Sequence, residues 1–476
     1  MVFSTNRAAT LIKSLEGSAI KGSQFHDYTL LCYFSRLSKR PSCLKKIFST
    51  RTGMAIVIAN MVGTGVFTSL GFQLQSIQAG FVLLMLWVVG GITAICGALS
   101  YAEIGAALPR SGGEYNFLSR IIHPAAGFTS GWISSTIGFS APVALTAMTF
   151  GAYITAIIGV DSGGWAARIV ACLLVIVLML IHAGRREGSS ALQGLFTLLK
   201  IVVIIGFCLI ALIVTKDYQP VSLLPKEGDS SLLFSGAFAI SLIYVSYAYT
   251  GWNAATYLSG ELQHPQSELP KILFVGTFTV MLLYALLNAT FLLTTPIAAM
   301  EGKIEIGFIA ASHIFGPIGA KFTGLVLAAL LISTVSAMTI AGPRVLQVIG
   351  EDFKLFSPLA RTNQDGIPSL AIKIQSAISI VFILTSTFKS VLIFAGFALA
   401  LNSFITVVGL FVLRIREPEL ERPFKVPLYP VTPIIYLLLN GWTLLYVLKT
   451  KPFEAYSALA LIAVGLVLYT ITKNKN

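Results

Sequence analysis

Two apolar stretches of the sequence carry glycine and polar residues at their centres, where backbone groups could bind a ligand. These central residues are Gly63, Thr64 and Gly65 in the first stretch and Tyr247, Ala248, Thr250 and Gly251 in the second. Glycine weakens a helix locally, and an unwound turn leaves N–H and C=O groups without helical partners. The amide end of such a break would attract a carboxylate, and the free carbonyls would accept hydrogen bonds from an ammonium group. Close packing of small residues between helices is the alternative interpretation of the glycines.

The composition indicates which elements must hold these stretches. Of the 476 residues, 55% are hydrophobic and 11% are charged, whereas a soluble domain carries about a quarter charged residues. This composition excludes an ordinary soluble protein, and it also excludes a disordered chain. Uncharged runs such as residues 79–102 are long enough to cross about 30 Å of hydrocarbon as a helix. The sequence therefore predicts an all-α polytopic membrane protein.

Hydropathy along the chain predicts twelve transmembrane spans. They lie near residues 52–76, 80–107, 125–158, 166–183, 191–214, 233–259, 271–294, 318–350, 368–387, 390–414, 430–449 and 453–472. The two glycine-containing stretches fall in the first and sixth spans, five spans apart, as two five-helix inverted repeats with broken first helices require. We therefore predict a first repeat over 51–214, a second over 233–414 and two additional helices over 430–472. Residues 1–50, which are polar and basic, are predicted to be a disordered cytoplasmic tail.

The basic residues predict the orientation of these spans. The larger share of the 33 Lys and Arg residues lies in the tail and in loops on the same side as the N-terminus. The positive-inside rule then places both termini in the cytoplasm and the chain in the cytoplasmic membrane. The net charge of +13 is explained by this topology, with a contribution from contacts to anionic lipid, and it does not require a nucleic-acid partner.

The sequence lacks the residue patterns that several kinds of chemistry require. The five cysteines form no CxxC pair, and neither an HExxH motif nor a Walker motif occurs. We therefore expect no catalytic residue, no metal, no cofactor and no use of ATP. A polytopic membrane enzyme would need convergent His, Asp or Glu residues, and a channel would need repeated polar faces along its pore. A secondary transporter is favoured over both.

Further motifs in the loops and in the eighth span make a family resemblance specific. They are YAEIG at 101–105, PRSGGEY at 109–115, GELQHP at 260–265, STVSAMTIAGPR at 333–344 and ERPFKVPLYP at 421–430. Together with the two broken stretches, they resemble permeases of the amino acid–polyamine–organocation (APC) superfamily, close to its bacterial L-type amino-acid transporter-like members. The resemblance covers the chain from about residue 44 to the C-terminus.

The resemblance implies a binding site for a zwitterion. The backbone around Gly63, Thr64 and Gly65 would receive the substrate carboxylate, and the carbonyls near Tyr247, Ala248 and Thr250 would accept from the α-ammonium. Tyr247 would close over the substrate, with packing in the core as its alternative role. Gly251 belongs to the same break, and Tyr284 is a further binding candidate, for which interhelical hydrogen bonding is the alternative.

The implied function is secondary active transport of α-amino acids by alternating access, through exchange or proton symport. A polyamine transporter of the same fold is the alternative within this class. A polycation would favour acidic side chains in the cavity, but the predicted spans contain no Asp or Glu near the midplane. This favours a zwitterion.

Lys200 is the one charged residue that the sequence places deep within a span. A lysine at that depth costs at least roughly 2.5–3.5 kcal/mol on insertion scales, so a function or a partner must justify it. By resemblance, Lys200 occupies the place where sodium-coupled relatives bind a cation between the first and eighth spans. Its ammonium would bridge the first-span break to Ser333 or Ser336 in the eighth span. Transport would then be independent of sodium, with protons as a candidate coupling ion.

Overall fold

The twelve predicted spans are present as helices in the computed structural model, which describes residues 49–110, 112–184 and 190–473. The predicted tail at 1–50 lies almost entirely outside the described residues. The spans are Thr50–Gln73, Gly80–Ala107, Pro124–Ile158, Trp165–Gly184, Ser190–Val214, Gly236–Ala248, Pro265–Thr294, Ile306–Asp352, Ser369–Thr385, Phe388–Arg416, Val431–Thr450 and Pro452–Lys473. All but the sixth and ninth are, over their full length, long and apolar enough to cross a membrane, and the helices of those two are shorter and apolar. The all-α polytopic fold predicted from hydropathy is confirmed.

The first span is broken at the predicted place. One helix runs over Thr50–Met61, and Ser49 caps it by accepting a hydrogen bond from the backbone N–H of Thr52. A second helix runs over Gly65–Gln73. Between them the chain leaves helical geometry at Val62, whose ψ is 80°.

The sixth span is broken as well. Its first helix runs over Gly236–Ala248, and the chain then turns at Gly251, whose φ of +99° lies in the left-handed region that favours glycine. A 3₁₀ helix over Ala254–Glu261 continues the span. The left-handed conformation that glycine allows at position 251 thus accounts for the interruption of the helix.

Two other spans contain local irregularities. The third is made of helices over Pro124–Ile133 and Ser140–Ile158, joined by a π-helical turn over Ser134–Gly138. In Ile306–Asp352, Gly316 departs from helical geometry with φ of +68°. The preceding residues therefore form a separate segment before the span, and this explains why hydropathy predicts a span that starts only at 318.

Shorter helices connect the spans. They are Gly113–Ile121, Asp229–Leu233, Ile297–Met300 and a 3₁₀ helix at Lys354–Ala360. Gly113–Ile121 lies between the second and third spans and is amphipathic, with Glu114 and Arg120 near its two ends.

A buried carboxylate fixes the loop between the tenth and eleventh spans. Glu103, at the end of the second span, is fully buried and accepts two hydrogen bonds from Arg414, at 2.7 and 2.6 Å. Its carboxylate also lies 3.6 Å from Arg422 and accepts from the backbone N–H of Val426. Because the carboxylate has two cationic partners and a backbone donor, its burial is compensated.

Candidate substrate site

The two breaks pack directly against each other. A Cβ added at Gly65 would lie 2.6 Å from Cα of Ala248, and one added at Gly251 would lie 2.9 Å from the carbonyl carbon of Asn60. Only glycine allows these approaches, so close packing is a sufficient reason for both residues. Gly63 is different, because the nearest atom to an added Cβ would be Cγ2 of Thr334 at 3.8 Å.

At the first break, side chains of the protein donate hydrogen bonds to backbone carbonyl oxygens. The carbonyl oxygen of Val62 accepts from Nζ of Lys200 at 3.1 Å. That of Met61 accepts from the Tyr284 hydroxyl and from the backbone N–H of Gly63. Thr64 is buried, and its hydroxyl lies 2.5 Å from that of Thr149 in the third span. The break is therefore held from three sides.

The carbonyls predicted to accept from the substrate ammonium also have partners within the protein. The Tyr247 carbonyl accepts from the backbone N–H of Thr250 at 3.0 Å and from its hydroxyl at 2.7 Å. The Ala248 carbonyl oxygen lies 3.1 Å from the Tyr284 hydroxyl, whose one proton it shares with the nearer Met61 carbonyl. A carbonyl oxygen has two lone pairs, so Ala248 retains acceptor capacity whereas Tyr247 has used both.

Lys200 bridges the first break to the eighth span, as predicted, but its partner in the eighth span is Thr334. The side chain is 5% exposed, and its Nζ donates to Thr334 at 2.8 Å as well as to Val62. Ser333 and Ser336 were the expected partners, and this expectation was wrong. Those two serines lie three positions apart and share one helix face, whereas Thr334 points about a quarter-turn away from Ser333.

Ser333 and Ser336 line a cavity instead. The Ser336 hydroxyl lies 2.8 Å from Nε2 of His182, at the end of the fourth span. The sequence position of His182 predicts an interfacial residue, but the side chain is buried and reaches the same cavity. The fourth span packs against the eighth there, so its last turn faces protein.

The cavity has a volume of about 620 Å³. It extends from the sixth-span break toward the side of the membrane on which the first span begins, where Thr52 and Arg110 line it. Further lining residues come from the second, third, fifth, eighth, tenth and eleventh spans, among them Thr93, Phe139, Phe196, Ala337, Leu399 and Tyr436.

The predicted site residues divide into two groups around this cavity. Thr250, Gly251, Ser333 and Ser336 line it. The others lie behind its wall: Gly63, Thr64, Gly65, Lys200, Tyr247, Ala248 and Tyr284. Tyr247 is 4% exposed and packs in a cluster with Phe72 and Phe388.

On the opposite side of the breaks, contacts between the spans close the protein. The Ser69 hydroxyl donates to the Tyr244 carbonyl at 3.3 Å, and the backbone N–H of Gly302 donates to the Gly71 carbonyl at 2.8 Å. The rings of Phe72 and Phe388 stack with their centroids 5.7 Å apart. The cavity is thus reached from one side of the membrane, and the second half of the first span packs into the seal on the other.

Sequence reasoning missed several cavity residues. The cavity is also lined by Asn60, Ser246, Asn253, Tyr257 and Glu114. Three of them lie in or beside the sixth-span break, so the polar run of that span was their signal. Glu114 lies in the loop motif PRSGGEY, and nothing in that motif indicates that the connecting helix folds back into the site.

Comparison with known proteins places the chain among transporters. The family model described as "Amino acid permease" matches residues 48–468. The mouse b(0,+)-type amino acid transporter 1 is 26% identical over 440 residues, which cover 90% of this chain and 88% of the relative. The human large neutral amino acids transporter small subunit 2 is 26% identical, with coverage of 90% and 80%. The serine/threonine exchanger SteT of Bacillus subtilis is also 26% identical, with coverage of 90% and 96%.

Proposed function

This chain belongs to the amino acid permease family, and on that premise we propose that it exchanges α-amino acids across the cytoplasmic membrane by alternating access, without sodium. Membership in this family of transporters makes it a multi-pass amino acid transporter and not an enzyme. The proposal adds the site, the coupling and the topology. Both termini would lie in the cytoplasm, so that the cavity faces the cytoplasm. The first and sixth spans would begin two inverted five-helix repeats over 51–214 and 233–414.

The observation that carries the proposal is a pair of broken helices packed back to back at the end of a one-sided cavity. Alternating access requires a site that is open to one side while the other is closed. The cavity reaches Ser246, Thr250 and Gly251 at the sixth-span break, and the contacts around Phe72 close the far side. The arrangement fits the state that faces the side on which the first span begins.

The substrate would bind with its charged backbone groups at the breaks. The helix that begins at Gly65 directs its amide end toward the break, which suits a carboxylate. The Ala248 carbonyl, with its remaining lone pair, and the carbonyl of Thr250 at the cavity wall would accept from the ammonium. Because Gly63, Thr64 and Gly65 lie behind the cavity wall, the proposal requires the substrate to reach past Asn60 or the wall to move when it binds.

Amino acids fit this cavity better than polyamines do. A polyamine carries several positive charges and no anion, so it would be matched by several carboxylates. Glu114 is the one Asp or Glu among the described lining residues. A zwitterion matches the paired amide and carbonyl ends without further charges.

Counterflow in proteoliposomes tests the proposal. Vesicles loaded with an unlabelled mixture of the twenty amino acids should accelerate uptake of labelled serine, leucine or lysine compared with empty vesicles, equally in sodium and in choline buffer. Putrescine loading forms the polyamine arm, and Gly65→Val protein forms the inactive control. Uptake that no amino acid accelerates, or that requires sodium, would contradict the proposal.

A further inference from the structure

We propose that Glu114 is a positioning residue for transport, and that its carboxylate holds the second half of the sixth span in the arrangement that keeps the cavity open. This inference rests on the proposed alternating-access function. It assigns a role in the conformational cycle to a residue of the connecting helix Gly113–Ile121.

The carboxylate is buried and holds three elements together. The Glu114 side chain is 2% exposed. Its Oε1 accepts from the Tyr101 hydroxyl of the second span at 3.0 Å and from Nδ2 of Asn253 at 2.6 Å. Its Oε2 accepts from the Tyr257 hydroxyl. Asn253 and Tyr257 both lie beyond the turn at Gly251, so one carboxylate ties the second half of the sixth span to the second span.

The same contacts reach the irregular part of the third span. The Tyr257 hydroxyl also lies 3.4 Å from that of Ser134, the first residue of the π-helical turn. Gly113, with φ of +53°, packs against the Tyr257 ring, and a Cβ there would lie only 2.9 Å from Cε1. The sixth-span segment is therefore fixed from both of its neighbours.

Glu114 has no cationic partner among the ion pairs of the described residues, all of which involve Glu103 or Glu417. Its three donors are neutral. Hydrogen bonds to an ionised acceptor are about twice as strong as those between neutral groups, so the carboxylate has much to lose if Asn253 and Tyr257 move away. A residue that makes its contacts only in one arrangement of a moving segment biases the equilibrium toward that arrangement.

Glu103 supplies the matched contrast. It is also a buried carboxylate close to the same membrane face, but Arg414 and Arg422 neutralise it, and it accepts from Val426 in the loop between the tenth and eleventh spans rather than from a residue of the sixth span. If burial of a carboxylate were the only requirement, the two residues would respond alike to loss of charge. The inference predicts that they do not.

The test measures how accessible the cavity is. A single cysteine at Ala337, a lining residue, is introduced into protein free of native cysteines. Its rate of reaction with a thiol reagent added from the cavity side is then followed without substrate. Glu114→Gln should slow the reaction at least fivefold and lower the maximal counterflow rate at least fivefold, with the KM for substrate changed less. Glu114→Asp should restore part of both rates.

Two further variants keep the test informative if Glu114→Gln folds poorly. Tyr257→Phe should slow both rates two- to threefold, and combining it with Glu114→Gln should add little, because both remove the same interaction. Glu103→Gln should lower the yield or thermal stability of folded protein and leave the thiol reaction rate of the folded fraction unchanged. Wild-type accessibility in Glu114→Gln and Tyr257→Phe would overturn the inference. The thiol reaction needs no substrate. Its rate therefore still tests the role of Glu114 if the protein proves not to transport amino acids.

Discussion

The breaks in the first and sixth spans look alike in sequence and differ in how the fold uses them. At the first break, Lys200 and Tyr284 bind carbonyls, and Gly63 lines only a void of about 10 Å³ beside Lys200. At the sixth break, Thr250 and Gly251 form the wall of the large cavity. One break is capped by the protein and the other faces space that a ligand can enter.

This difference indicates which break is fixed and which can move. The first break is tied to the third, fifth, seventh and eighth spans by buried hydrogen bonds, and breaking buried bonds of this kind leaves costly unsatisfied groups. The sixth-span segment beyond Gly251 is held chiefly through side chains around Glu114 that face the cavity. We therefore expect the first break to be the reference against which the second half of the sixth span shifts.

The largest effect is expected where the two breaks touch. Gly65→Val places a branched side chain where a Cβ already meets Ala248 at 2.6 Å, so the breaks must separate and transport should be abolished. Gly63→Ala is the matched control, since its added Cβ meets nothing closer than 3.8 Å. Uptake and membrane expression of both variants check this. An active Gly65→Val would show that the contact between the breaks is dispensable. An inactive Gly63→Ala would indicate that substrate needs the space at Gly63.

The sequence predicts the breaks better than their surroundings, for a physical reason. Hydropathy and glycine placement are local, so the twelve spans and both interruptions are readable without a structure. The partner of Lys200 depends on rotation of the eighth span by a fraction of a turn, which separates Thr334 from Ser333. The burial of Glu114 and His182 depends on how a connecting helix and a span end pack, and a single sequence carries no local signal for either.

The next largest effect concerns the cap on the first break. Lys200→Ala removes the donor to the Val62 carbonyl and leaves buried acceptors unpaired, at a cost of about 1–3 kcal/mol for one such group. We expect at least a tenfold loss of uptake with normal expression, whereas Lys373→Ala, at an exposed position, should be near wild type. Wild-type uptake should also persist when choline replaces sodium. A strict sodium requirement would contradict the idea that the lysine takes the place of a cation.

A smaller and more selective effect is expected on the sealed side of the sixth break. Tyr247 is buried in the apolar cluster that also contains Phe72 and Phe388, so Tyr247→Ala opens a gap in that cluster without changing a residue of the cavity wall. If the ring closes over substrate during the cycle, the maximal rate should fall several-fold while substrate binding, measured by thermal stabilisation, changes little. Phe238→Ala, at another buried position of the same helix, controls for lost packing. Equal loss of binding and transport would make Tyr247 an ordinary core residue.

The smallest effect should come from a hydroxyl that contacts both breaks. The Tyr284 Oη donates to the Met61 carbonyl and lies 3.1 Å from that of Ala248, while its ring packs edge-on against Trp87 with centroids 5.5 Å apart. Tyr284→Phe keeps the ring and removes only the link.

A hydrogen bond contributes about 0.5–1.5 kcal/mol net, so the maximal rate should fall about two- to tenfold if the link aligns the breaks. Tyr153→Phe is the control, because its hydroxyl, also buried, accepts a hydrogen bond from the backbone N–H of Gly307, in the segment before the eighth span. Equal losses in the two variants would mean that any buried hydroxyl has this effect. A loss confined to Tyr284→Phe would support a mechanical connection between the capped break and the one that faces the cavity, because the substitution changes no residue of the cavity wall.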